Sequence, residues 1–90
     1  MSPTPPFDVD AAWRLHPQVA LRPEPFGALL YHFGTRRPSF LKDRTVVELV
    51  RSLPEHPDAR SALRAVGLGD SRSYVNALAA LANSHMVVRA

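Results

Sequence analysis

The chain contains no cysteine. This excludes disulfides and thiolate metal sites and is consistent with a reducing compartment. Isoleucine is also absent, and Lys42 is the single lysine, so nearly all the positive charge is carried by arginine. No apolar run approaches the ~20 residues that a bilayer span requires. The opening residues, MSPTPPFDVD, have neither the basic start nor the apolar stretch of a secretory signal, so a cytoplasmic location without membrane attachment is expected. Catalytic signatures are missing as well: there is no Gly-x-Ser-x-Gly elbow, no phosphate loop and no His-Glu-x-x-His pair. His16, His32, His56 and His85 lie far apart in sequence with no metal-ligand spacing. These absences predict a non-enzyme with no metal and no cofactor.

What is present describes one folded domain. The 90 residues are 46% hydrophobic and 21% charged, enough for one modest core that buries roughly 60 to 65% of the unfolded chain's surface. The net charge of +3 is spread over both halves with no basic tail, which favours acidic partners in general without pointing to nucleic acid. Pro3, Pro5 and Pro6 cannot sustain a helix, so residues 1–12 are expected to be a disordered lead-in to a domain spanning 13–90. Trp13, Phe26 and Phe33 read most simply as core or near-core residues.

Periodicity then divides the domain in two. Val19 and Leu21 share one side of a short strand that Pro23 and Pro25 should end. In residues 26–33, alternation puts Leu29, Tyr31 and Phe33 on one face and Ala28, Leu30 and His32 on the other. GTRR supplies turn chemistry, and RPSFLK forms a third strand with Phe40 and Leu41 on opposite faces, completing an antiparallel meander. From Asp43 the period lengthens. Val46, Leu49, Val50 and Leu53 mark a first helix, with Thr45 and Glu48 spaced as a capping box. Ala59, Ala62, Leu63 and Val66 mark a second, begun by Pro57 at its first position and closed by Gly67, with Leu68 folding back in a Schellman contact. The third begins at Asp70 or Ser71 and carries Tyr74, Val75, Leu78 and Leu81 towards residue 84. HMVVRA is left as a tail with packing contacts. The expected fold is α+β and winged helix-turn-helix-like, a three-stranded antiparallel sheet followed by three helices.

Such an order raises DNA binding, but a recognition helix needs several side chains that reach bases or phosphates. Between residues 71 and 84 the candidates are Arg72, Asn76 and Asn83, set among alanines and leucines, so a large salt-dependent phosphate contribution has little to supply it. A DNA-binding winged-helix regulator and a non-catalytic structural subunit remain as alternatives. Arg36 and Arg37, beside Lys42, fit either a small anion site or a solvated turn. Tyr74, Leu78 and Leu81 read first as core.

The string WRLHPQVALRPEPFGALLYHFGTRRPSFLK, residues 13–42, closely resembles the precursor-peptide-binding proteins of mycofactocin biosynthesis, and EPFGALLYHFGTRR is its most specific part. The helical half fits the same family more loosely. By this likeness the chain is a stand-alone RiPP recognition element, similar to the D protein of pyrroloquinoline quinone biosynthesis. The resemblance implies a chaperone that binds the leader of the mycofactocin precursor peptide and presents it to a radical S-adenosylmethionine maturase, which modifies a C-terminal Val-Tyr. It also implies where the leader lies: added as a fourth strand beside the third, against Arg37, Pro38, Ser39, Phe40, Leu41 and Lys42, with Arg72, Tyr74, Val75, Leu78 and Leu81 across the groove. Pro38 departs from the leucine usual there, which weakens one expected backbone contact. An edge strand is an aggregation hazard unless a partner uses it, and Pro38 and the flanking charges blunt this one.

Overall fold

A computed structural model describes residues 7–69 and 71–90. The chain runs β1 (Trp13–Leu15), β2 (Val19–Glu24), β3 (Gly27–His32), β4 (Arg37–Leu41), α1 (Arg44–Ser52), a 3-10 turn (Leu53–Glu55), α2 (Ala59–Ala65), α3 (Arg72–Asn83) and β5 (Val87–Arg89). It is an α+β fold whose main sheet is three-stranded, antiparallel and ordered β2-β3-β4.

Alternation decides which side of that sheet is buried. Ala28, Leu30 and His32 of β3 are buried, and the pairs Ala28↔Leu41 and Leu30↔Ser39 carry the same face onto β4. The helices lie against this face, where Leu30, Leu49, Leu53, Leu63 and Leu78 are sealed from water; each such side chain contributes about 1.5–3 kcal/mol on burial. Gly27 sets the spacing at one end of the sheet. Its φ of +147° suits glycine, and a Cβ there would run into the Leu41 carbonyl, so β4 can close on β3 only because that atom is missing.

Helix ends follow local chemistry. The Asp43 carboxylate caps α1 by accepting from the Thr45 N–H at 2.8 Å, so the capping residue lies two positions before the expected Thr45: a carboxylate reaches the free amide better and suits the positive end of the helix. Asp58 caps α2 through Ser61 N–H at 2.7 Å, leaving Pro57 outside the helix it was expected to begin. The end of α2 forms the expected Schellman motif, with Leu68 N–H to the Leu63 carbonyl at 2.8 Å and Gly67 N–H to that of Arg64 at 3.0 Å, Gly67 at φ +78°. Ser71 precedes α3 as its cap residue; the alternative start, Asp70, lies outside the described residues.

Three further expectations change. Pro23 does not end the first strand: β2 continues to Glu24, with Pro23 opposite Ala28, which an edge strand tolerates because half its amides face away from the sheet. The tail after α3 is β5, which pairs with β1 in a small second sheet, Trp13↔Arg89 to Leu15↔Val87, and buries Met86 and Val87. Of the lead-in expected to be disordered, residues 1–6 lie outside the described residues. Residues 7–12 pack: Phe7 stacks on Trp13 at 4.5 Å, Ala11 is buried, and Asp10 pairs with Arg60 at 2.7 Å. The Asp10 carboxyl sits below its ordinary value because of its bond to Arg60.

Candidate peptide-binding groove

No described strand pairs with the outer edge of β4. Its backbone groups are directed by Pro38. Having no N–H, Pro38 cannot exchange bonds with its partner Tyr31, so Tyr31↔Pro38 belongs to the non-hydrogen-bonded class. Alternation then assigns Leu29↔Phe40 to the same class, turning the backbone groups of residues 38 and 40 outward, while residues 37, 39 and 41 serve the bonds to β3.

Beside this edge lies a trough. A cavity of about 380 Å³ is lined by Ser39, Phe40, Leu41 and Lys42 on one side and Ala77, Ala80, Leu81 and Ser84 on the other, with Asp43 and Val46 at its end. It continues past Ser39 and Ser84 into a second hollow of about 520 Å³ that takes in Arg37, Pro38 and His85. The α3 wall follows i, i+3, i+4, i+7, one stripe of the helix, and three of its four side chains are small, which lets another backbone come close.

Of the residues singled out in the sequence, Ser39, Phe40, Leu41, Lys42 and Leu81 meet in the first hollow, and Arg37, Pro38 and Ser39 in the second. Leu78 does not reach either, being fully buried in the core, and Val75 packs partly buried against that core. Arg72 is exposed in the first turn of α3 and lines neither hollow. Tyr74 acts at one remove: its hydroxyl donates to Asp43 Oδ2 at 2.8 Å, fastening α3 to the cap of α1 where the trough ends. That bond, with the Thr45 amide, holds the Asp43 carboxyl below the usual range, and the same bond raises the Tyr74 phenol.

Sequence reasoning missed Asp43, Val46, Ala77, Ala80 and Ser84. The signal was available in the Ala77, Ala80, Ser84 spacing; those alanines counted only against DNA contact, although small side chains are also what a close-lying strand requires. The fold also gathers histidines that the sequence keeps apart. The rings of His16 and His32 lie 4.4 Å apart, and His32 Nδ1 accepts from the Gly34 and Thr35 amides at 3.0 and 3.1 Å, pinning the turn that leads into β4. Partial burial, followed by the charges of His32, His85 and Arg14, lowers the pKa of His16.

The chain matches the model of the peptide chaperone MftB family over residues 12–88. It is 66% identical over 84 residues to a peptide chaperone MftB of Mycobacterium ulcerans, covering 91% of this chain and 77% of the relative. A peptide chaperone MftB of Mycolicibacterium smegmatis is likewise 66% identical, at 91% and 82% coverage, and one of Mycobacterium tuberculosis is 60% identical, at 91% and 77%. No solved structure matches the chain significantly.

Proposed function

This chain belongs to the peptide chaperone MftB family, and on that premise we propose that it holds the leader of the mycofactocin precursor peptide by strand addition along β4 and delivers it to a radical S-adenosylmethionine maturase. The observation that carries this reading is the unpaired edge of β4 set against the α3 trough.

The outward backbone groups of residues 38 and 40 supply register for an extended leader, and alternate leader side chains drop between Leu41 and the Ala77, Ala80, Leu81 wall. Pro38 withholds one donor, so one leader carbonyl goes without a protein partner. Arg37 and Lys42 sit exposed at the rim, where they attract acidic leader residues and orient the encounter; Arg72, farther off, adds only to the long-range field. Ordering a free leader costs about 2–5 kcal/mol, which leaves a net affinity of about −8 to −10 kcal/mol, micromolar to submicromolar. The role is delivery in the cytoplasm, with no chemistry at the site. We read the order of sheet and helices as winged helix-turn-helix-like, serving peptide instead of DNA.

The test is calorimetry with the synthetic leader of a mycofactocin precursor peptide ending in Val-Tyr, together with maturation of the full precursor by the maturase with and without this protein. Saturable leader binding and chaperone-dependent modification of the terminal Val-Tyr are expected. Salt-sensitive binding to duplex DNA with no leader binding would replace this reading with a DNA regulator.

A further inference from the structure

The side of the sheet turned away from the helices is apolar. Leu29 pairs with Phe40 and Tyr31 with Pro38 on this face, and three phenylalanines around it stay in water: Phe26 is 43% exposed, Phe33 61% and Phe40 61%. Phe26 and Phe33 were expected in the core; both lie just outside β3, in the turns at its two ends, and stay exposed there. The rings meet in two pairs, Phe26 with Phe40 at 6.2 Å and Tyr31 edge-on with Phe33 at 5.0 Å, and the register joins the pairs, since Leu29 opposite Phe40 is the neighbour of Tyr31 on the same face. Contiguous exposed aromatics on so small a protein mark an interaction surface.

Charge indicates what the surface meets. The surplus positive charge comes from Arg36, in the turn after Phe33, and Arg44, which reaches the Pro25 carbonyl at 3.5 Å beside Phe26; Arg22 stands on the same face opposite Leu29 with its charge balanced by Glu24. Glu24, the acidic residue in the face's register, is tied to Arg22 at 3.1 Å. A second copy docking through this patch would set arginines against arginines, since a twofold interface pairs a surface with itself. A partner with an apolar contact rimmed by carboxylates meets no such repulsion.

We propose that this face docks the enzyme that modifies the delivered peptide, through an apolar, acid-rimmed surface on that enzyme. The inference rests on the delivery reading. Phe40 belongs both to the trough and to this patch, so a leader held along one side of β4 leaves the chaperone beside an enzyme held on the other, and the two sites can be filled together.

The test uses the whole protein with Phe26 and Phe33 both changed to serine, and separately Arg22→Glu, a fully surface change that keeps the question open if the double variant folds poorly. Affinity for the purified radical S-adenosylmethionine maturase is measured by biolayer interferometry, affinity for the synthetic leader by fluorescence anisotropy, and oligomeric state by sedimentation. The double variant is expected to bind the enzyme about tenfold or more weakly while binding the leader within about twofold of the parent. Arg22→Glu is expected to weaken enzyme binding more at low salt than at high salt. Unchanged enzyme affinity in both variants overturns the proposal, as does a parent dimer that the phenylalanine changes dissociate, which would make the face a self-interface. Failure of the parent to bind leader overturns the delivery reading instead, and the enzyme measurement shows separately whether the face docks that protein.

Discussion

The two edges of the main sheet make an instructive pair. Both are blunted by a proline, Pro23 in β2 and Pro38 in β4, and both carry charge. Along β2 the charges Arg22 and Glu24 neutralise each other across 3.1 Å, which is the ordinary defence of an edge. Along β4 the charges sit at the ends, and between them runs a trough walled by small α3 side chains. An open edge therefore offers only backbone bonds, which water supplies equally well; an edge with an apolar wall adds pockets that water cannot fill. The difference lies in α3 more than in either strand.

The contrast can be broken most severely at Gly27. Since a Cβ there meets the Leu41 carbonyl, Gly27→Ala should push β4 from β3, with a stability loss of about 2–3 kcal/mol in denaturant unfolding. A loss under about 0.5 kcal/mol would mean that β4 is not held as described.

Filling the trough should separate the edges without disturbing the fold. Ala80 is exposed and lines the hollow, while Ala20 is exposed on β2. Ala80→Trp is expected to weaken leader binding about tenfold or more, some 1.4 kcal/mol, with unchanged thermal unfolding. The matched Ala20→Trp should leave leader affinity as it was, by calorimetry.

The prolines sharpen the comparison further. Pro38→Leu restores an outward donor and should tighten leader binding by about 0.5–1.5 kcal/mol, while lowering stability by about 0.4–1 kcal/mol through the freer unfolded chain. Pro23→Leu on the other edge should carry a similar stability change and none in affinity. Equal affinity gains at both positions would mean that the leader does not choose between edges.

The smallest effect expected is on acidification. The pKa of His16 is lowered in the fold, so below its ordinary value of about 6.5 the unfolded chain takes up a proton that the folded chain refuses. Stability is present in full above that value and falls as pH drops towards the folded one. The depressed carboxyls of Asp43 and Asp58 act in the same direction only at lower pH, as each falls through its folded value. Denaturant midpoints should decline as pH falls below about 6.5, and His16→Gln should flatten that decline while leaving the steeper acid limb.

How much of this was legible follows from the range of each signal. The β2–β3–β4 meander and the end of α2 were readable because alternation, turn residues and Gly67 act within a few positions. The β1–β5 pair was not: each strand has three residues, and Trp13 finds Arg89 from the far end of the chain, so nothing local announces the ladder. Phe26 and Phe33 were misjudged because both sit in turns at the ends of β3, where strand alternation no longer assigns a face and hydrophobicity alone does not bury a side chain. At the site, β4 was legible as an edge, and Leu78 is buried as its spacing first suggested, but Leu78 and Val75, which the resemblance set across the groove, line neither hollow. Choosing the groove face of an amphipathic helix requires knowing where α1 lies, and the bond from Tyr74 to Asp43 fixes that only in the folded chain.

The central claim, that the leader pairs with β4 and not β2, is tested most directly by titrating the isotope-labelled protein with unlabelled leader and following its amide resonances. The account predicts that shifts and intermolecular contacts concentrate in residues 37–42 and 77–84, with residues 19–24 unmoved. Shifts concentrated in 19–24, or confined to 44–66, would contradict it.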